Sequence, residues 1–192
     1  MSDPAQLEAT VSDLQKRISE ARCVFEFTVS SVPVGVQLSE SDHRHALGAF
    51  FRALQRQHDQ RRTQYPKSGA SSFFKPDFDT SMATATTVEL LKVTEDEDEV
   101  ESSWFGRLEK AFMDPPYGSK ADTALFAEFC ATTGIAPDAV VLDWVGDRRE
   151  DRRRSAWSNY FDAGREWWGI WCATIWNPTT CTLAVIAASS TD

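Results

Sequence analysis

Tyr160, Asp162, Arg165 and Glu166 stand together just ahead of a tryptophan-rich stretch and form the group best equipped for chemistry. Asp162 and Glu166 are a pair of carboxylates. Such a pair beside an aromatic wall can serve as acid and base on a small polar substrate, as in glycoside hydrolysis. With Tyr160 and Trp168 they define one candidate cleft, and hence an enzyme as an alternative reading. The same residues have a structural use, because buried indole N–H groups need acceptors. The five arginines between Asp147 and Arg154 also need counter-charges. The structural use is the favoured expectation.

Other chemistry-bearing residues are sparse. The three histidines are His43, His45 and His58. Positions 43 and 45 point in different directions on a helix, so they are not predicted to share a metal, and the histidines are expected to face solvent. A Cys23–His43 pair stays open, since spatial neighbours do not show in a sequence. Cys23, Cys130, Cys172 and Cys181 lack zinc-site spacing. Cys172 and Cys181 flank a predicted turn. They are expected to be reduced core thiols, with a disulfide across a hairpin as the alternative. No cofactor and no metal are predicted.

The elements that must position these residues follow from periodicity. Pro4 to Arg22 reads as a helix with Leu7, Val11, Leu14 and Ile18 on one stripe, a peripheral N-terminal element. Cys23 to Val29 alternates as a half-buried strand, and Val32 to Val36 is read as its continuation after a bend. Ser39 to Arg61 is a second helix, opened by a capping box of Ser39 and Asp42, with Ala46, Leu47, Phe50, Phe51 and Leu54 inward. Thr63 to Met82 is a long loop with phenylalanine anchors. Thr84 to Val93 reads as a strand, although Val88 to Lys92 also fits a helix. Ser102 to Met113 and Asp122 to Thr133 are helices, the second stopped by Gly134. Ala139 to Val145 is a short buried strand.

Six of the seven tryptophans lie between Trp144 and Trp176. Trp167 to Trp176 and Cys181 to Ala188 read as a hairpin, apolar on both sides of both strands, as expected in the middle of a covered sheet. The whole chain, 1–192, is thus predicted to be a single α+β domain. It would have a mostly antiparallel sheet of about five strands, about four helices and the tryptophan hairpin at its centre. A homo-oligomer joined through the tryptophan strand is a further alternative.

The formal net charge is -9. Phosphate repels such a surface, which disfavours nucleic acid and favours a basic protein partner. The sharpest block is Glu95, Asp96, Glu97, Asp98 and Glu99, followed by Glu101, with Trp104 as a nearby aromatic anchor. Its other reading is an acidic first turn for the helix that follows. No run of about 18 apolar residues occurs, so no membrane span is predicted. The N-terminus lacks the pattern of a secretory signal, so a cytoplasmic location is expected. High alanine and arginine content points to a GC-rich bacterial source.

Two resemblances add to this. Asp114-Pro-Pro-Tyr117 resembles the Asp-Pro-Pro-Tyr motif of amino-group DNA methyltransferases, over four residues only and without a Gly-rich cofactor loop upstream. In that family the motif follows an apolar strand; here the preceding residues read as a helix. The segment from Trp157 to Gly169, with its Tyr-Phe-Asp-x-Gly-x-Glu-Trp-Trp-Gly block, is similar to the C-terminal part of a set of small bacterial proteins, and implies no activity. By analogy of size and charge, the expected function is that of an acidic immunity or inhibitor protein that neutralises a basic toxin or effector.

Overall fold

The computed structural model describes residues 4–64, 77–90, 103–115, 118–146, 152–162, 164 and 169–190. The helices are α1 (Pro4–Glu20), α2 (Glu40–Gln64), α3 (Trp104–Met113) and α4 (Thr123–Thr133). The strands are β1 (Glu26–Ser31), β2 (Thr86–Val88), β3 (Val140–Asp143), β4 (Gly169–Asn177) and β5 (Thr182–Ser190). The fold is α+β. All strand pairs are antiparallel, in the order β1-β5-β4-β3-β2.

The sheet is covered on both faces. Phe25, Phe27, Val141, Ala173, Ile175, Ala184 and Ile186 face α1, α3 and α4. Leu142, Ile170, Cys172, Val185 and Ala187 face α2 and the turns at 152–161. This is the period-two alternation of a pleated strand, with apolar residues on both parities because both faces are dry. Phe25, Phe112 and Phe129 pack with centroids 4.9 to 5.9 Å apart under α3 and α4. On the other face, Phe51 is the hub among Phe50, Phe78, Trp157, Tyr160 and Phe161.

Local chemistry sets the element ends. Ser39 and Asp42 form the capping box of α2, with Ser39 N–H donating to Asp42 at 2.8 Å. Ser103 caps α3 and Asp122 caps α4 through their side chains. Gly134 ends α4 in the left-handed region at φ 78°. Asn177 of the hairpin lies against it: its side-chain N–H donates to Gly134 O at 3.0 Å, and its Oδ1 accepts from Thr179 and Thr180. A Cβ at Gly134 would lie 3.0 Å from Asn177 Cβ. Gly134→Ala is therefore expected to lower stability by ~2 kcal/mol, from left-handed strain and this contact, read as a lower urea midpoint at unchanged slope. An unchanged midpoint would contradict the contact.

The structure departs from the sequence expectations at three places in the fold. β1 stops at Ser31 rather than running to Val36: Pro33 O accepts from Val36 N–H in a turn, Gly35 has φ 82°, and Val34 is 72 % exposed. Pro33 has no N–H for a ladder, so the chain leaves the sheet. The strand expected over 84–93 is reduced to Thr86–Val88, a short edge; residues 91–93 lie outside the described residues. β1 begins at Glu26 rather than Cys23, while buried Cys23, Phe25 and Phe27 alternate with the less buried Glu26 and Thr28 as a half-buried strand should. Among the described residues, β4 is paired along both edges and covered on both faces.

Candidate functional site: a groove beside β1 and the polar layer under α2

Register aligns the sheet residues beneath α2. Glu26 pairs with Ala187, which pairs with Cys172; Thr28 pairs with Val185, which pairs with Thr174, which pairs with Leu142. Ala187 is buried in the same apolar cluster as Phe50 and Phe51.

His43, in the first turn of α2, descends onto the second row and is 1 % exposed. Its Nδ1 lies 2.8 Å from Thr174 Oγ1, and Trp144 Nε1–H donates to the same hydroxyl at 2.9 Å. With an indole donor on one lone pair, the hydroxyl proton is free to point at Nδ1. Burial pushes the His43 pKa down, against the raising effect of Asp42 and Glu40, and the neutral ring accepts that proton. Arg44 covers the other side of Trp144, its guanidinium carbon 5.0 Å from the ring centroid, and donates to Thr80 O and Ala83 O at 2.6 Å each. This corrects the expectation of a solvent-facing side chain for His43 and for His58, which is buried as well, at 8 %; His45 is exposed, as expected.

At the β1 end of the layer, Tyr160 O–H donates to Glu26 at 2.8 Å. Burial raises the Tyr160 pKa well above the usual phenol value, with Glu26 adding to the effect. Burial also raises Glu26, partly offset by the Tyr160 hydrogen bond and the charge of Arg61. Glu26 opens into a groove of about 370 Å³ that runs along β1 between α1 and α2. Gln15 and Ser19 line it from α1, Gln57 and Arg61 from α2, and Phe50 and Leu54 form its apolar side.

The cysteines are free. Burial pushes Cys23 and Cys172 up, and Cys130 up to about 12, so these thiols stay protonated near neutral pH. Cys181 lies in the hairpin turn, while Cys172 pairs with Ala187; the two do not face each other across the hairpin. Among the described residues no group of three His, Cys, Asp or Glu side chains is arranged to hold a metal.

The candidate residues read from the sequence fare as follows. Glu95, Asp96, Glu97, Asp98, Glu99 and Glu101 lie outside the described residues, as do Arg165, Glu166, Trp167 and Trp168. Trp104 is a core residue rather than a surface anchor: it is 7 % exposed and packs edge-on against Trp171 at 5.9 Å. Tyr160 turns to Glu26, whereas Asp162 caps the turn at 159–161 and is exposed. Asp114, at the head of the Asp-Pro-Pro-Tyr run, caps the C-terminus of α3, so the run follows a helix and not a strand.

No family model, no curated protein and no solved structure matches the chain. Among the described residues, no helix is long and apolar enough to cross a membrane.

Proposed function

We propose that this protein is an acidic, cytoplasmic protein-binding module of the immunity or inhibitor type, which neutralises a basic toxin or effector. The observation that carries the reading is the groove beside β1, a concave surface with a carboxylate in its floor and an edge strand along its length. The net charge of -9 supports it, since an acidic surface speeds encounter with a basic partner and repels nucleic acid. The internal bonds of the aromatic layer support it too. Tyr160 is engaged by Glu26, and His43 by Thr174, in roles that hold the fold together.

Affinity capture at about 50 and about 500 mM salt tests the proposal, with bound proteins identified by mass spectrometry. The expected result is a basic protein retained at low salt and released at high salt. Reversal of Glu95, Asp96, Glu97 and Asp98 to lysine is expected to weaken its capture by about tenfold or more. A captured set without a basic protein, or equal retention by the reversed variant, overturns the reading.

A further inference from the structure

Among the described residues β1 is an edge strand, paired on one side by β5. In an antiparallel ladder the residues of a strand alternate, one turning both backbone groups to its partner and the next turning both away. Two hydrogen bonds fix the phase. Val32 N–H donates to Cys181 O, so position 32 turns inward, and with it 26, 28 and 30. Phe27 O turns outward, because Gln15 Nε2–H reaches it from α1 at 2.7 Å. Phe27 therefore turns its backbone groups into the groove, and Val29, by the same alternation, turns its own outward from the edge just beyond the groove. The Gln15 amide occupies the position where the N–H of a neighbouring strand would sit.

Glu26 marks what lies opposite. Its side chain is on the α2 side of the sheet, where the phenol of Tyr160 donates to it and the charge of Arg61 acts on it from the rim. A residue of an added strand facing the same side would stand across from Glu26 at the cross-strand distance, where opposite charges attract and like charges repel. Arg61 and Gln57 at the rim offer donors to the carbonyls of an incoming chain.

We infer that the outer edge of β1 is a strand-addition site, at which an extended segment of a basic partner pairs as a sixth strand and sets a lysine or arginine beside Glu26. The inference rests on the protein-binding reading above and names where and how that partner docks. A second copy of the chain fits less well. β1 reads Glu-Phe-Thr-Val-Ser-Ser, so a two-fold β1–β1 pair brings no cation to Glu26.

The test uses the full chain and two blocked, fluorescent hexapeptides, Thr-Val-Lys-Val-Thr-Val and its glutamate analogue, read by anisotropy. The lysine peptide is expected to bind about tenfold or more tightly than the glutamate peptide, and Glu26→Gln to bring the two within about twofold. Val29→Pro removes an outward N–H, which an edge strand tolerates, and is expected to weaken the lysine peptide by about tenfold or more; Val29→Thr keeps it. In the unmutated protein, amide exchange at Phe27 and Val29 should slow on peptide binding, a reading that does not depend on any variant folding. Unchanged exchange there, or binding of blocked free lysine as tightly as the peptide, overturns the inference, the latter pointing to a small-molecule pocket. The two proposals fail separately. A basic partner captured equally by Val29→Pro removes the β1 site and leaves the module reading. Peptide binding at β1 with no basic partner captured does the reverse.

Discussion

Replacing Phe51 with alanine is expected to cost about 3–5 kcal/mol, the range for emptying a fully buried aromatic site. Phe51 is 0 % exposed. Its ring lies 5.1 Å from Trp157, 5.3 Å from Phe50, 5.4 Å from Phe78 and 5.5 Å from Tyr160, mostly edge-on. These neighbours come from α2, the segment at 77–83 and the turns at 152–161, so no single element can shift to fill the void. The loss depends on how far a site collapses, and a site walled by three separate segments collapses poorly. Phe105 provides the control. It is half-buried and its ring packs on Phe126 at 5.6 Å, so Phe105→Ala should cost much less. Urea unfolding of both variants checks the contrast, and similar midpoints would show that Phe51 is not the hub. A functional consequence follows. Tyr160 leans on Phe51, and Tyr160 holds Glu26, so peptide discrimination at the β1 groove should weaken in Phe51→Ala even at temperatures where the fold persists.

The reason α2 was legible only in part lies in how histidine is scored. The apolar face reads as Ala46, Leu47, Phe50, Phe51 and Leu54. His43 precedes Leu47 by four positions and His58 follows Leu54 by four, which puts both on the same stripe. Counting histidine as able to be buried would have extended the covered face at both ends. Trp104 carried a similar signal: 104, 108 and 112 are four apart, and all three residues are buried on α3. The capping residues Ser39, Ser103 and Asp122 and the stop at Gly134 are local chemistry, and they act where the sequence places them. What local patterns do not encode is strand order. That β1 is an edge, and that Glu26 lies in the groove beside α2, depends on β5 returning to lie beside it from the far end of the chain. The doubly apolar β4 was the one hint that the polar parity of neighbouring strands would also be roofed.

The buried polar layer gives the second large effect. Thr174→Val keeps the shape of the side chain and removes the one hydroxyl that serves both His43 and Trp144. Each of the two groups left without its partner in a dry site costs about 1–3 kcal/mol, so the expected loss is about 2–6 kcal/mol. Thr174→Ser, which keeps the hydroxyl, should lose much less. The pH dependence is expected to change with it. In the native protein burial lowers the His43 pKa below its ordinary 6.5. The unfolded chain then binds the proton more readily. Stability from this residue is present above 6.5 and is lost as pH falls through the depressed native value. Glu26 acts in the opposite sense. Its native pKa is raised above 4.5, so its contribution is present below 4.5 and is lost as pH rises through the raised value. Unfolding measured across the acid range should therefore show two opposed slopes, with Glu26→Gln removing one and His43→Gln the other. In Thr174→Val the hydroxyl that donates to neutral His43 is gone, so the preference for the neutral ring weakens and the His43 slope should shrink. A slope unchanged in both Thr174→Val and His43→Gln would mean that His43 is not the group titrating, and that its tie to Thr174 carries no linkage.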